Sequence, residues 1–183
     1  MKMLRLLVCY VLLSICANPI YTQEESRPTL AVGKLEGDFI LDGNLTDPAW
    51  EKAPVLDQFQ TVVPEEGGTP SGKTSVRVLA SPRFLIIGIE CFDNDPSGIV
   101  NFSKLRDVEL ENEDHIRIVI DPFLDGQSGI ILAVNAGGAR YDALVSNRGE
   151  SENEAWDAIW EAKTQIHSEG WSLEIRLHIQ RFS

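Results

Sequence analysis

The stretch Trp171-Ser-Leu-Glu-Ile-Arg-Leu-His-Ile179 decides the fold class, because its apolar and polar side chains alternate almost without a break. In an extended chain, the five apolar side chains would point to one side and the four polar ones to the other. A period of two is typical of a strand with one buried face. The stretch therefore predicts a half-buried β-strand.

Similar short segments precede this strand, and turn residues separate them. The turns are Ser81-Pro-Arg83, Asp125-Gly126 and Ala136-Gly-Gly138. Many short strands joined by glycine and proline turns favour a sandwich of two sheets. We therefore predict an all-β fold, an antiparallel β-sandwich of about nine strands. The clearest predicted strands are 76–80, 84–92, 114–121, 130–135, 139–145 and 171–179.

Two segments carry helical signals. Asp47-Pro-Ala-Trp-Glu-Lys52 places an N-cap aspartate before a proline, which predicts a single helical turn. Residues 152–163 hold two tryptophans four positions apart, which fits a helix face, but from Trp160 onward apolar and polar residues alternate. We favour a strand from about Ala158 and keep the helix as the alternative.

Length and charge exclude several classes of protein. A chain of 183 residues is long enough for one domain and short for two. Its formal net charge is −12, whereas nucleic-acid-binding proteins carry a basic surface that contacts the phosphates. It has no polybasic stretch that would hold it to an anionic membrane surface. We therefore expect no nucleic-acid partner.

The N-terminus has the layout of a secretory signal peptide. Lys2 and Arg5 are followed by the apolar run 6–15 and by small residues. The run is shorter than the ~20 apolar residues that span a bilayer. We predict that residues 1–22 are a signal peptide and that the protein is exported to the periplasm, the outer membrane or the extracellular space.

The chain ends at Ser183, soon after its most regular strand. We therefore expect the domain, residues 28–183, to be incomplete at its C-terminus. We also expect the polypeptide to continue into a larger exported protein.

Catalytic motifs are missing from the sequence. It contains no phosphate-binding glycine loop, no His-Glu-x-x-His motif and no Cys-x-x-Cys pair. The three histidines lie far in sequence from any plausible nucleophile. Cys91 sits in an apolar run, which favours an inert buried thiol. We predict that the protein is not an enzyme.

An acidic loop, Asp93-Asn-Asp-Pro96, offers hard oxygen ligands. Such ligands suit calcium, and we predict Asp93 and Asp95 as its ligands, with calcium the only cofactor expected. The alternative is that aspartate and asparagine only make the turn before the proline.

Four tryptophans are present, and exposed aromatic rings can stack on the apolar faces of sugars. Core packing is the better interpretation for Trp50, Trp160 and Trp171. Trp156 is equally compatible with the core and with a binding surface.

The motif Ile40-Leu-Asp-Gly43 followed by Asp47-Pro-Ala-Trp50 resembles the opening of family 9 carbohydrate-binding modules. Later landmarks follow in the family's order and end with Glu174, so that the resemblance covers roughly residues 29–179. It is most similar to the module that opens long exported proteins of gram-negative bacteria. The resemblance implies a β-sandwich, often with calcium, that clasps sugar chain ends between two tryptophans without catalysis.

Some family positions carry other residues here. The first stacking tryptophan falls on Glu111, a sugar-contacting glutamate on Arg117 and an arginine on Ala133, while the second tryptophan would lie beyond Ser183. The resemblance implies a module that binds a polysaccharide or oligosaccharide, serving polysaccharide binding or degradation. The alternative, favoured by Glu111, is a structural or protein-interaction module of an outer-membrane protein that has lost sugar binding.

Alternation also predicts where a ligand would lie. His115 and Arg117 should point outward on one strand, and Ala133 and Asn135 outward on its hairpin partner. Arg117 and Asn135 could hydrogen-bond hydroxyls or a carboxylate, and the arginine would favour acidic sugars. An ordinary polar sheet face is the alternative, and Trp156 is the next candidate contact.

Overall fold

A computed structural model describes residues 29–179, so the predicted signal peptide lies outside the described residues. Within this range the chain is all-β, with ten strands in two sheets that form an open sandwich. The strands are β1 (Gly33–Lys34), β2 (Val55–Leu56), β3 (Thr74–Ala80), β4 (Phe84–Phe92), β5 (His115–Ile120), β6 (Gly129–Asn135), β7 (Arg140–Ser146), β8 (Ser151–Asn153), β9 (Trp160–His167) and β10 (Gly170–His178).

The first sheet has the order β1-β3-β4-β10-β9, with β2 also paired to β3, and the second has the order β5-β6-β7-β8. Every pair is antiparallel except β1 with β3. The predicted fold class is confirmed. The short strands β1, β2 and β8 have only two or three residues, too few for alternation to reveal them.

Both ambiguous segments are resolved by the structure. Strand β9 pairs antiparallel with β10, so the strand prediction is confirmed and the helical alternative is wrong. Residues Pro48–Lys52 form a 3-10 helix, and the Asp47 carboxylate accepts a hydrogen bond from the Ala49 N–H at 2.8 Å. None of the helices in residues 29–179 is long and apolar enough to cross a membrane.

The main core lies between the two sheets. Leu173 and Ile175 of β10 pack there with Leu132 and Val134 of β6, and all four are fully buried. Truncating one such side chain to alanine costs about 2–5 kcal/mol. Trp160 and Trp171 belong to the same cluster, which confirms their assignment to the core; the cluster also includes Val78, Ile87, Ile89 and Ile130.

The other face of the first sheet is covered by residues 35–53, which the alternation of β10 did not predict. Ser172 and Glu174 were expected to point to solvent, but they are 2% and 0% exposed. Trp50 lies on Gly88, where an added Cβ would come within 2.7 Å of the indole. Apolar side chains of residues 35–53 pack on this face of the sheet, against Leu79 and Ile86, so the sheet is buried on both faces.

Glu174 holds this covering layer in place. Its carboxylate accepts hydrogen bonds from the N–H groups of Asp42 and Gly43, both at 2.9 Å, and from the Trp50 indole N–H at 3.0 Å. Gly43 has a φ of +87°, and a Cβ there would lie 2.8 Å from the backbone of Thr164. Burial raises the pKa of Glu174, although these three hydrogen bonds oppose the shift.

Candidate functional site

The outer face of the second sheet carries the predicted site residues. The predicted hairpin of β5 and β6 is present, and its register places His115 opposite Asn135 and Arg117 opposite Ala133. Strand β7 adds Tyr141 opposite Ala133. Directly opposed residues project to the same face of a sheet, so these five side chains share one face.

Asn135 lies on the outer sheet face as predicted, but the prediction that it is open to a ligand is wrong: it is fully buried beneath residues 99–114. Its amide nitrogen donates to the Ser103 carbonyl at 3.0 Å and to Glu113 at 2.8 Å, and its oxygen accepts from the Ala139 N–H at 2.7 Å. Burial opposes ionisation of Glu113, but hydrogen bonds from Ser103 and Asn135 outweigh it and lower its pKa. Asn135 therefore holds the covering segment instead of a ligand.

The covering segment, residues 99–114, also buries Ala133, which is 2% exposed beneath Leu110. The segment is attached to β7 through Arg106, whose guanidinium donates to the fully buried Asp142 at 2.7 Å. Because breaking this contact would leave the buried Asp142 carboxylate without its cation, the segment forms a fixed wall over one end of the sheet.

This wall borders one side of an open cavity of about 450 Å³, which we call the first cavity. Its floor is formed by His115, Arg117, Ala133 and Tyr141. The volume lies within the ~300–1,000 Å³ that small-ligand sites occupy. Four carboxylates line the sides of the first cavity, from Glu109, Glu111, Glu152 and Glu154.

Arg117 and Glu152 form an ion pair at 2.7 Å that reaches across the sheet face from β5 to β8. The Tyr141 hydroxyl donates to the same carboxylate at 3.2 Å, and the guanidinium lies 5.8 Å from the centre of the tyrosine ring. Burial, together with Glu154 and Glu152, raises the pKa of Tyr141 to about 12. Tyr141 therefore stays neutral and offers both a ring and a hydroxyl.

The charge of the first cavity does not fit the expected preference for acidic sugars. The Arg117 charge is already paired with Glu152, and three further glutamates face the same space. An anionic ligand would be repelled by them, whereas the hydroxyls of a neutral polyhydroxyl ligand could donate hydrogen bonds to the carboxylates and accept them from the guanidinium.

Trp156 lies away from this arrangement. It is half-buried, packs against the main core cluster and does not line the first cavity. Of the predicted carbohydrate contacts, the structure therefore brings His115 and Arg117 together in one cavity and leaves Asn135 and Trp156 outside it.

The predicted calcium ligands lie in the loop after β4, where both are exposed. Asp93 accepts a hydrogen bond from the Asp95 N–H at 2.8 Å, and Asp95 accepts one from the Ser97 hydroxyl. Each carboxylate keeps one oxygen without a hydrogen bond from a described residue. In residues 29–179 no three His, Cys, Asp or Glu side chains are grouped to hold a metal ion. Calcium, which takes 6–8 oxygens, would here need backbone and water ligands as well, and its binding stays a prediction.

Cys91 is the free cysteine within the described range. Burial raises the pKa of its thiol to about 12, which leaves almost no thiolate at neutral pH. This agrees with its interpretation as an inert thiol.

Sequence reasoning missed Tyr141, Glu152 and Glu154. Tyr141 stands at an outward position of the predicted strand 139–145. The alternation that places Arg117 on the outer sheet face therefore places Tyr141 there too. The two glutamates lie on or next to the three-residue strand β8, which carries no periodic signal.

Three positions at which the resemblance implies a sugar contact meet at the first cavity. Glu111, at the place of the stacking tryptophan, lies on its wall, and Arg117 and Ala133 lie on its floor.

Solved structures resemble this chain. A protein from Bacteroides uniformis proposed to bind carbohydrate superposes with a TM-score of 0.62 at 12% identity, covering 84% of this chain and 73% of the other. A family 9 carbohydrate-binding module from Caldicellulosiruptor kristjanssonii in complex with cellotriose gives a TM-score of 0.54 at 14% identity, covering 78% and 64%. The chain has a family 9-like fold.

A glucose complex of a family 9 module from the same organism gives a TM-score of 0.56 at 14% identity, covering 80% of this chain and 69% of the other. This chain therefore spans about two thirds of the two family 9 modules. No protein-family model matches the sequence, and no curated protein matches it either. The family 9-like fold rests on three-dimensional similarity.

Proposed function

We propose that this protein is a non-catalytic module that binds a neutral polysaccharide or oligosaccharide in the first cavity, as part of a larger exported protein. The observation that carries the proposal is the Tyr141 ring on the cavity floor, bordered by the Arg117–Glu152 pair. Its support is a family 9-like fold whose solved examples hold glucose and cellotriose. The predicted signal peptide supports export.

The cavity supplies the two kinds of contact that a sugar needs. The Tyr141 ring offers an apolar surface for the C–H face of a pyranose, and carboxylates and the guanidinium are positioned to bond its hydroxyls. Arg117 and Glu152 hold each other in place, so little side-chain freedom is lost when a sugar binds. No proton transfer or nucleophile is required.

Calorimetric titration with cellotriose, xylotriose and mannotriose tests the proposal. At least one of these sugars should bind, and Tyr141→Ala should weaken that binding by about tenfold, since the stacking contact is lost and Glu152 loses the hydroxyl that helps to hold its carboxylate in place. Phe59→Ala is the matched control: Phe59 is 40% exposed and does not line the first cavity, so its loss should leave the affinity for the sugar unchanged.

The competing function is a structural or protein-interaction module without sugar binding. Glu111 favours it, because the family's stacking ring is replaced there by a carboxylate. A glycan array separates the two functions. Binding to any neutral glycan on the array supports the carbohydrate-binding module, and binding to none of them supports the structural module.

A further inference from the structure

A second cavity of about 320 Å³ lies on the same sheet face, next to the first. Arg117 and Glu152 line both cavities, so their ion pair forms the border between the two. The second cavity is bounded by the turn that contains Gln127 and by the turn that contains Arg148. The two cavities are therefore neighbouring parts of one surface.

The register of the strands sets the direction of this surface. Val119, paired with Ile131, lies two residues beyond Arg117 along β5, and Gly129, paired with Val145, lies further along. Side chains on one face of a strand repeat every ~7 Å, so the second cavity continues the first along the strands. Its floor is apolar: Val119, Ile131 and Val145 line it. Such a floor offers C–H contacts to a further sugar ring.

Arg148 gives the second cavity a polar edge. Its backbone has φ +60° and ψ +30°, a left-handed conformation that side-chain-bearing residues rarely adopt, and its N–H donates to the Gln127 carbonyl at 3.0 Å. Asn147 before it is left-handed too, with φ +53°. Strained backbone of this kind persists where the surroundings hold it, and it clusters at ligand sites. In the part of the chain that the structure describes, Arg148 makes no ion pair.

From this geometry we infer that the protein binds an extended oligosaccharide, with consecutive sugars in the two cavities and the chain running along β5 and β6 away from the wall formed by residues 99–114. The inference rests on the proposed function and specifies its ligand: an extended oligosaccharide instead of a single sugar. The Arg117–Glu152 pair lies under the linkage between the two sugars and contacts both.

Titration of the full chain with glucose, cellotriose and cellohexaose, and with the matching xylose and mannose series, tests the inference. Affinity should rise by about tenfold or more from monosaccharide to hexasaccharide, because the longer chain gains an apolar contact and a charge-assisted hydrogen bond in the second cavity. Arg148→Gly should remove most of that gain while leaving monosaccharide affinity unchanged, and glycine suits the left-handed backbone, so the fold is retained.

Val119→Glu is a second, independent variant, since Val119 is 62% exposed and its replacement leaves the core intact. It should also reduce hexasaccharide affinity only. Arg83→Ala, on the other sheet, is the control and should change neither affinity. Equal affinity for every chain length, or a length effect that both variants leave intact, overturns the inference while the proposed function stands. Absence of binding by every sugar overturns the proposed function itself and the inference with it.

Discussion

The Trp50 indole N–H donates to the Glu174 carboxylate across 3.0 Å, joining residues that are 124 positions apart in the sequence. Both side chains are almost wholly buried. The other carboxylate oxygen accepts from Asp42 and Gly43, so one acidic group fixes the N-terminal layer to β10. The motif that carries the family resemblance is therefore a structural device of the fold and lines neither the first nor the second cavity.

Replacing this carboxylate by an amide should destabilise the fold. In Glu174→Gln one oxygen can still accept from Asp42 and Gly43, but the amide nitrogen would then face the Trp50 indole N–H, donor against donor. We expect a loss of about 1–3 kcal/mol in the free energy of unfolding, measured by urea denaturation, since a buried donor is left without a partner.

A double-mutant cycle with Trp50→Phe checks the cause. Trp50→Phe alone leaves a buried carboxylate oxygen unpaired and should also destabilise, but in the Glu174→Gln background it removes the opposed donor. The two losses should therefore be less than additive, with a coupling of about 0.5–3 kcal/mol. Additive losses would show that the indole and the carboxylate do not interact.

The stability of the protein should carry a pH dependence that originates at Glu174. Because burial raises the pKa of Glu174, the folded state holds a proton that the unfolded state releases as the pH rises past the group's usual value of 4.5. The stabilising effect of this group is thus complete at low pH and declines as the pH rises through the folded-state pKa.

Melting curves of the wild type and Glu174→Gln, recorded from pH 4 to pH 7, isolate this effect, since the glutamine cannot ionise. The advantage of the wild type over the variant should shrink as the pH rises. An advantage that is constant or grows with pH contradicts a raised pKa.

The sequence predicted the long strands well, because their alternation is a local property of consecutive residues. It also placed His115 and Arg117 on one outward sheet face, since side-chain direction follows from strand register. It failed at Asn135 and Glu174, whose positions follow the same alternation but which are buried by distant segments. Residues 99–114 and 35–53 carry no regular period, and nothing in them indicates which sheet face they cover. Glu152 was missed because only the pairing of β7 with β8, which places it opposite Val145, brings its carboxylate within 2.7 Å of the Arg117 guanidinium.

Calcium binding at Asp93 and Asp95 can be tested by thermal denaturation. If the ion binds there, millimolar calcium should raise the melting temperature and EDTA should lower it, because a ligand that binds only the folded state stabilises it by mass action. The double variant Asp93→Asn/Asp95→Asn should abolish the difference. The site is refuted by a wild-type melting curve that is the same in EDTA and in calcium.

Restoring an aromatic ring at the wall of the first cavity should strengthen sugar binding. Glu111 is exposed and lines that wall, so Glu111→Trp places an indole at the cavity without disturbing the core. Stacking of aromatic groups contributes about 0.5–1.5 kcal/mol beyond burial, which corresponds to an affinity gain of about two- to tenfold.

The gain should appear in calorimetric titrations with cellotriose or with whichever trisaccharide the wild type binds best. Glu65→Trp is the control for a general effect of an added indole, because Glu65 lies in an exposed loop of the other sheet and lines neither cavity. Since Glu111→Trp also removes one of the four carboxylates, Glu111→Gln separates the charge from the ring: a gain in both variants assigns the effect to charge. If Glu111→Trp binds sugar no better than Glu111→Gln does, the indole does not reach the ligand and the sugar lies further towards β8.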